Sequence, residues 1–289
     1  MFAPMTAGKL YKEILTGIEL IYDKQEAAAI ASILFEHKTG ISKSGIIREP
    51  GKLLSQETIA ELRQALSQLQ QHVPIQYITG EAWFYGLKLQ VSPAVLIPRP
   101  ETEELVHAVI QSAKSNSNLN ILDIGTGSGC IPIALSRHIT GAYITAIDVN
   151  VAALATAKMN AVSLDAVVNF SEVDFLDETS WHQLGRYDII TSNPPYIPMD
   201  EKLLLDKHVT ESEPHIALFV PAQKPLLFYE KIALFGKQHL NETGKIFMET
   251  HEHYAREVAA LFDGEHYSAE VIIDLNGNER IVIATRRCR

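Results

Sequence analysis

The chain has 289 residues, enough for one large domain and a smaller one, and its 46% hydrophobic and 21% charged residues mark a globular protein. A formal net charge of −10, from 35 acidic and 25 basic residues, disfavours extended DNA or RNA as a substrate, because nucleic-acid affinity rests on Lys and Arg neutralising phosphates. No run approaches the ~18 apolar residues of a membrane span, residues 1–12 lack the basic-then-apolar order of a signal peptide, which points to the cytoplasm, and Cys130 and Cys288 offer neither a disulfide framework nor a metal quartet.

In chain order, Leu10, Ile14, Ile18 and Ile21, then Ile30, Ile33 and Leu34, recur at helical spacing and predict two helices broken near Tyr22 to Lys24. A polar, glycine-containing stretch over 38–53 follows. Ser55 is placed to cap a third helix whose Ile59, Leu62, Leu66 and Leu69 form one stripe. Residues 1–73 are thus expected to be a small helical domain, with the stripe as its core rather than a cofactor box. Residues 74–91 mix aromatic and β-branched residues with Gly80 and Gly86 and predict a hairpin within a linker over 74–97. Arg99, between Pro98 and Pro100, is held extended, and Thr102 with the acids beside it suits the first turn of a helix carrying Val106 and Ile110. That segment reads either as a capped linker or as a lid over a site.

After a polar gap at 116–120, strands and helices alternate through 98–289. Residues 121–124, 143–147, 167–173 and 187–192 read as strands, 130–135 and 152–162 as helices. A helix near 226–240, a strand at 245–248, a helix over 254–262 and two strands joined through Asn276-Gly277-Asn278 complete the chain. Such alternation predicts an α/β domain, a mostly parallel sheet covered on both faces, here with an antiparallel hairpin at one edge. The basic tail at 286–289 is expected to be solvated.

The fourth strand ends in Ser192-Asn193-Pro194-Pro195-Tyr196, at the sheet edge where α/β enzymes keep their chemistry. The Asn193 side-chain carbonyl and the Pro194 backbone carbonyl are two acceptors that suit a planar –NH₂ group, with the Tyr196 ring against its face. Asn-Pro and Pro-Pro are also ordinary turn dipeptides, so taken alone the stretch is equally a strand terminator.

Gly125-Thr126-Gly127-Ser128-Gly129, after one strand and before a helix, lets a ligand approach backbone closely at a helix start. Dinucleotide sites space their glycines Gly-x-Gly-x-x-Gly, whereas here Cys130 stands where the third would fall, which disfavours a dehydrogenase. Asp123 is placed to receive an ammonium, Asp148 to accept ribose hydroxyls, and Asp174 with Phe175 to hold an adenine. Separately each acid is as well read as a cap or a solvated loop residue. Together, at the ends of successive strands, they favour an adenosine carrying an amino acid, a description that S-adenosylmethionine fits. None of the 11 histidines falls in a His-Glu-x-x-His array, and His251 and His253 read as surface residues rather than metal ligands.

These residues resemble the HemK/PrmC family, the N(5)-glutamine methyltransferases of peptide chain release factors. The resemblance covers nearly the whole chain. It is carried by Pro-Ile-Gln-Tyr-Ile-Thr-Gly-Glu at 74–81, Leu-Ile-Pro-Arg-Pro-Glu-Thr-Glu at 96–103, Leu-Asp-Ile-Gly-Thr-Gly-Ser-Gly-Cys at 122–130 and Ser-Asn-Pro-Pro-Tyr-Ile at 192–197. The first two are the specific ones, since the glycine motif is shared by most class I methyltransferases and Asn-Pro-Pro-Tyr by amino-methylating DNA enzymes. The resemblance implies a helical N-terminal domain, a hairpin linker and a Rossmann-like, seven-stranded class I S-adenosylmethionine-dependent methyltransferase domain. It implies as substrate the glutamine of a release factor's Gly-Gly-Gln loop, with cofactor contacts on Gly125 to Gly129, Asp148, Phe175 and Asn193 and the substrate amide on Asn193, Pro194, Pro195 and Tyr196. At Phe175 many members carry Trp. Two stretches depart from the family pattern, 220–226 and Glu249-Thr250-His251, and neither is expected to touch the methyl-transfer centre.

A carboxamide nitrogen is a poor nucleophile, so the expected mechanism is positioning and electrostatics, with no strong general base. Two other readings stand beside it. One is an amino-methyltransferase acting on adenine or cytosine after base flipping, which the acidic charge opposes. The other is a non-catalytic cofactor-binding module that docks on a protein.

Overall fold

The computed structural model describes residues 5–114, 118–264 and 266–287, and these divide into two compact units, 1–80 with 207–212, and 81–206 with 213–289. The predicted gap at 116–120 lies partly outside the described residues. The first unit holds α1 (Ala7–Ile18), α2 (Lys24–Thr39), α3 (Lys43–Arg48), α4 (Gln56–Gln70) and α5 (Ile75–Thr79), together with the short helix Lys207–Ser212. Asp23 caps α2 by accepting the N–H groups of Gln25 and Glu26 at 2.8 and 2.9 Å, and Gly40, at φ 65°, ends it. Ser55 caps α4 through the Thr58 N–H at 3.1 Å. The apolar stripes meet in one core in which Leu10, Ile14, Ile18, Leu34, Phe35, Leu62 and Leu69 are fully buried, each worth about 1.5–3 kcal/mol relative to exposure.

Two local expectations are corrected here. Within the polar 38–53 stretch, Ser42 caps α3, and Ile46 of that helix is buried. Residues 75–79 are helical rather than part of the hairpin, because Ile75 packs into the helical core and Gly80, at φ 73°, stops the turn. The hairpin is confined to β1 (Glu81–Phe84) and β2 (Leu87–Gln90), which are antiparallel.

The second unit continues with α6 (Pro100–Ala113), β3 (Asn120–Ile124), α7 (Cys130–His138), β4 (Tyr143–Asp148), α8 (Val151–Ser163), β5 (Asn169–Glu172) and β6 (Tyr187–Ser192). A two-residue strand, Ile197–Pro198, pairs in parallel with another, Phe219–Val220. The last elements are a helix at Leu227–His239, a strand at Leu240–Glu249, a helix at Ala255–Phe262 and two strands, Tyr267–Ile273 and Glu279–Arg286.

In space the seven strands run Tyr267–Ile273, Glu279–Arg286, Leu240–Glu249, β6, β3, β4, β5. The five from Leu240–Glu249 to β5 are parallel and the last two of the chain pair antiparallel. Strand order reverses at β3, where the chain goes first to β4 and β5 and returns on the other side as β6, and at such a switch point the carboxyl ends of the strands leave a crevice. Apolar cores of Leu122, Ile190, Ile246, Phe235 and Phe262 on one face, and Ile121, Ile133, Val109, Ile189 and Phe247 on the other, hold the sheet between helix layers. Arg286, expected in a solvated tail, instead donates to the carbonyls of Gly236, Lys237 and Leu240, the open C-terminal end of Leu227–His239.

Candidate active site

Register fixes what meets at the crevice. Ser192, the last residue of β6, pairs with Ile124 at the end of β3 on one side and with Met248 on the other. Gly125, Asn193 and Glu249 therefore stand side by side at the carboxyl edge of the sheet. From Gly125 the chain folds back under β4, with the N–H groups of Gly125 and Thr126 on the Ile147 carbonyl at 2.9 and 3.0 Å. Gly125 and Gly127 have φ of 73° and 55°, and a Cβ on either would meet no protein atom within 4 Å, so their open sides face free space. Asp148 locks this turn, its Oδ2 accepting the Gly127 N–H at 2.8 Å and its Oδ1 that of Asn150 at 2.9 Å.

Around the turn lies a cleft whose empty space, the part open to solvent included, is about 1220 Å³. Of the predicted site residues, Gly125, Thr126, Gly127, Ser128, Asp148, Asp174, Phe175, Asn193 and Pro195 line it. Gly129, Asp123, Pro194 and Tyr196 do not. Gly129 is buried because its Cα faces Ala157 and Ile133. Pro194 is buried, its ring contributing nothing to the lining. Asp123 belongs to β3 itself and is 1% exposed, one layer beneath the wall. Thr191, its register partner on β6, donates to Asp123 Oδ1 at 2.8 Å, while Oδ2 is buried without a hydrogen-bond partner. Burial pushes the Asp123 carboxyl up to about 6, opposed by the hydroxyls of Thr126 and Thr191. Asp148 is likewise raised by burial, against the amides of Asn150 and Gly127.

Phe175 lines the cleft, but its ring stacks on Trp181 at 5.5 Å and meets Phe235 edge-on at 5.4 Å. The residue is 5% exposed, with one ring face taken by Trp181. Asp174 is exposed at the rim, with Oδ1 on the Leu176 N–H at 2.9 Å. Cys130 also lines the cleft, and burial pushes its thiol up to about 12, which keeps it an uncharged wall atom.

The Asn193 amide is held from behind. Its Nδ2 donates to Thr102 Oγ1 at 3.0 Å, and Thr102 Oγ1 donates to Glu249 Oε2 at 2.6 Å. The other oxygen of Glu249 accepts the Tyr196 hydroxyl at 3.1 Å. Asn193 Oδ1 takes no hydrogen bond among the described residues. Glu249 is 1% exposed and Thr102 2%. Burial raises the Glu249 carboxyl, opposed by the hydroxyls of Thr102 and Tyr196 and by the charge of Arg280. Burial beside Glu249 also raises the Tyr196 hydroxyl, which therefore stays protonated as the donor.

The expectation that Glu249 to His251 stand clear of the centre is thus overturned, since Glu249 is bonded to both Thr102 and Tyr196. His251 is not a surface residue either: it lies edge-on to Tyr196 at 6.0 Å and 3.5 Å from a Glu201 oxygen, and burial lowers its pKa. Sequence reasoning left Thr102 and Glu249 out of the site. The signal for Glu249 was present, an acid closing a parallel strand as Asp148 does. On the mouth side, Arg99 donates to Glu213 Oε1 at 2.6 Å and tethers the 94–99 segment that forms one wall.

The glycine turn, the orphaned Asp123 oxygen and the amide-bound Asp148 fit an adenosyl amino acid with a cationic head, such as S-adenosylmethionine. Among the described residues no group of three or more His, Cys, Asp or Glu is placed to hold a metal ion.

Residues 17–80 match the family described as PrmC N-terminal domain, and residues 102–213 the family described as Methyltransferase small domain. The chain is 37% identical to the release factor glutamine methyltransferase of Flavobacterium psychrophilum, covering 93% of this chain and 95% of the relative. It is 38% identical to that of Bacteroides thetaiotaomicron, covering 94% and 98%. Among solved structures, a methyltransferase from Pyrococcus furiosus superposes with a TM-score of 0.51 at 16% identity, over 81% of this chain and 100% of the other, a likeness of fold.

Proposed function

The chain belongs to the release factor glutamine methyltransferase family, and from that premise we propose that it moves a methyl group from S-adenosylmethionine to the side-chain amide nitrogen of the glutamine in the Gly-Gly-Gln loop of a release factor. The enzyme is an S-adenosylmethionine-dependent methyltransferase, and a release-factor substrate puts its work in the cytoplasm. No helix among the described residues is long and apolar enough to cross a membrane.

The bound cofactor supplies a methyl group on a positively charged sulfur. The residues proposed to hold it are those of the glycine turn, with Asp148 for the ribose hydroxyls, Asp174 at the rim, and the buried Asp123 as the negative charge beneath a cationic head. Asn193 Oδ1 accepts one hydrogen of the substrate amide, and the Pro194 carbonyl is the proposed acceptor of the second. Gripped so, the nitrogen is fixed for in-line attack and the positive charge developing on it is stabilised. Tyr196, whose hydroxyl is bonded to Glu249 and which does not line the cleft, is proposed to act through Glu249 rather than by covering the substrate.

The observation that carries the reading is the Asn193 amide: tied back through Nδ2, it leaves its oxygen for a ligand at the strand end beside the one where the glycine turn emerges. Labelled S-adenosylmethionine with full-length release factor, followed by mass spectrometry, is expected to give one methyl on the loop glutamine and none on duplex DNA. Asn193→Ala is expected to lower kcat by about 10²–10³-fold, the cost of losing one preorganised transition-state contact, with cofactor affinity held within a few-fold. A variant that methylates at the normal rate would sink the mechanism.

A further inference from the structure

We infer that Glu249, acting through Thr102, is the positioning residue that decides which end of the Asn193 amide faces the substrate. This rests on the proposed role of Asn193 as acceptor. An Asn side chain has two nearly isosteric ends, a carbonyl and an –NH₂, and only the carbonyl can accept a hydrogen of a substrate amide. Nothing in Asn193's covalent structure selects between them. The selection lies in the hydroxyl of Thr102, which has one hydrogen and must spend it on one neighbour.

Glu249 takes that hydrogen, at 2.6 Å. The carboxylate only accepts, and its other oxygen is already engaged by the Tyr196 hydroxyl at 3.1 Å. Thr102 Oγ1 then has only lone pairs to offer Asn193, so the –NH₂ end turns inward, at 3.0 Å, and the carbonyl end outward. The direction of the chain is set at its buried end, because a charged acceptor outcompetes a neutral one for a shared donor. With a donor at position 249 the chain can reverse: the amide of a glutamine there donates to Thr102, Thr102 donates to Asn193 Oδ1, and the –NH₂ of Asn193 is presented to a substrate that is itself an –NH₂.

The test compares Glu249→Gln, Thr102→Val and Thr102→Ser with the wild-type full chain, reading kcat on full-length release factor at saturating S-adenosylmethionine and cofactor Kd separately. Glu249→Gln and Thr102→Val are expected to lower kcat by roughly 100-fold or more, as for loss of a preorganised contact, with cofactor Kd within about threefold. Thr102→Ser, which restores the hydroxyl, is expected to recover most of the rate lost in Thr102→Val. If Thr102→Val works within about threefold of wild type, or Thr102→Ser is as slow as Thr102→Val, the inference fails, whatever Glu249→Gln does and whether or not that variant folds. Asn193→Ala, assayed beside them, separates the two ideas: an active Asn193→Ala defeats the acceptor role itself, while an inactive Asn193→Ala with an active Thr102→Val defeats only the orientation by Glu249.

Discussion

Replacing Asp123 by Asn is expected to make the cofactor-free protein more stable and a worse binder. Burial lifts the Asp123 carboxyl from 3.8 to about 6, and one oxygen has no partner. In the folded chain the proton is held more tightly than in the unfolded chain. Stability from this group is therefore fully present below about pH 4, declines as pH rises towards 6, and is lost above it. A shift of about two units corresponds to ~3 kcal/mol at neutral pH, by about 1.4 kcal/mol per unit. Asn cannot ionise and keeps an oxygen for Thr191, while leaving a buried –NH₂ unsatisfied at about 1 kcal/mol. The net gain is about 2 kcal/mol, or roughly 4–8 °C in Tm for a unit of this size. The charge removed is the one proposed to lie beneath the cofactor's cationic head, so affinity should fall by about tenfold or more, the effect of ~1.4 kcal/mol. Thermal melting without cofactor from about pH 4 to 7.5, together with calorimetric titration of S-adenosylmethionine at pH 7.5, reads both effects. Wild type should melt higher as pH falls, and more steeply than the variant, which keeps the raised carboxyls of Asp148 and Glu249. A variant that melts below wild type at pH 7.5, or binds cofactor as wild type does, would refute the reasoning.

Gly129→Ala should destabilise the larger unit by about 2–3 kcal/mol, since φ is +80° and a Cβ would stand 3.0 Å from both Ala157 Cβ and Ile133 Cδ1; denaturant unfolding with an unchanged midpoint would count against it. Arg99→Ala should cost about 3 kcal/mol by stranding the Glu213 carboxylate, whose side chain is 0% exposed. The double variant Arg99→Ala with Glu213→Gln should recover much of that loss in the same unfolding assay, and no recovery would mean the pair is not what holds the 94–99 wall.

Much of the architecture was legible because its causes are local. The stripe of Leu10, Ile14 and Ile18, the caps Asp23 and Ser55, the glycine turn and the apolar runs ending in Asp148 and Asn193 each act over one or two turns of chain. Local reasoning failed where packing overrode propensity. Ile75 to Thr79, β-branched and aromatic in composition, turned helical against the core of the first unit. Phe175, read as a stacking platform, lines the cleft with its ring also packed on Trp181 and edge-on to Phe235, contacts that no local pattern announces.

The sequence by itself determined the glycine turn and the strand-end acids of the proposed cofactor cradle, because they are close along the chain or sit at equivalent strand ends. Only the tertiary structure decided how the amide-gripping residue is aimed. Asn193 and Thr102 are 91 residues apart, Tyr196 and Glu249 53, Thr102 and Glu249 147. No local propensity reports on such pairs. They meet because parallel strand order places the ends of β6 and of Leu240–Glu249 side by side, and α6 enters above them with its third residue turned inward.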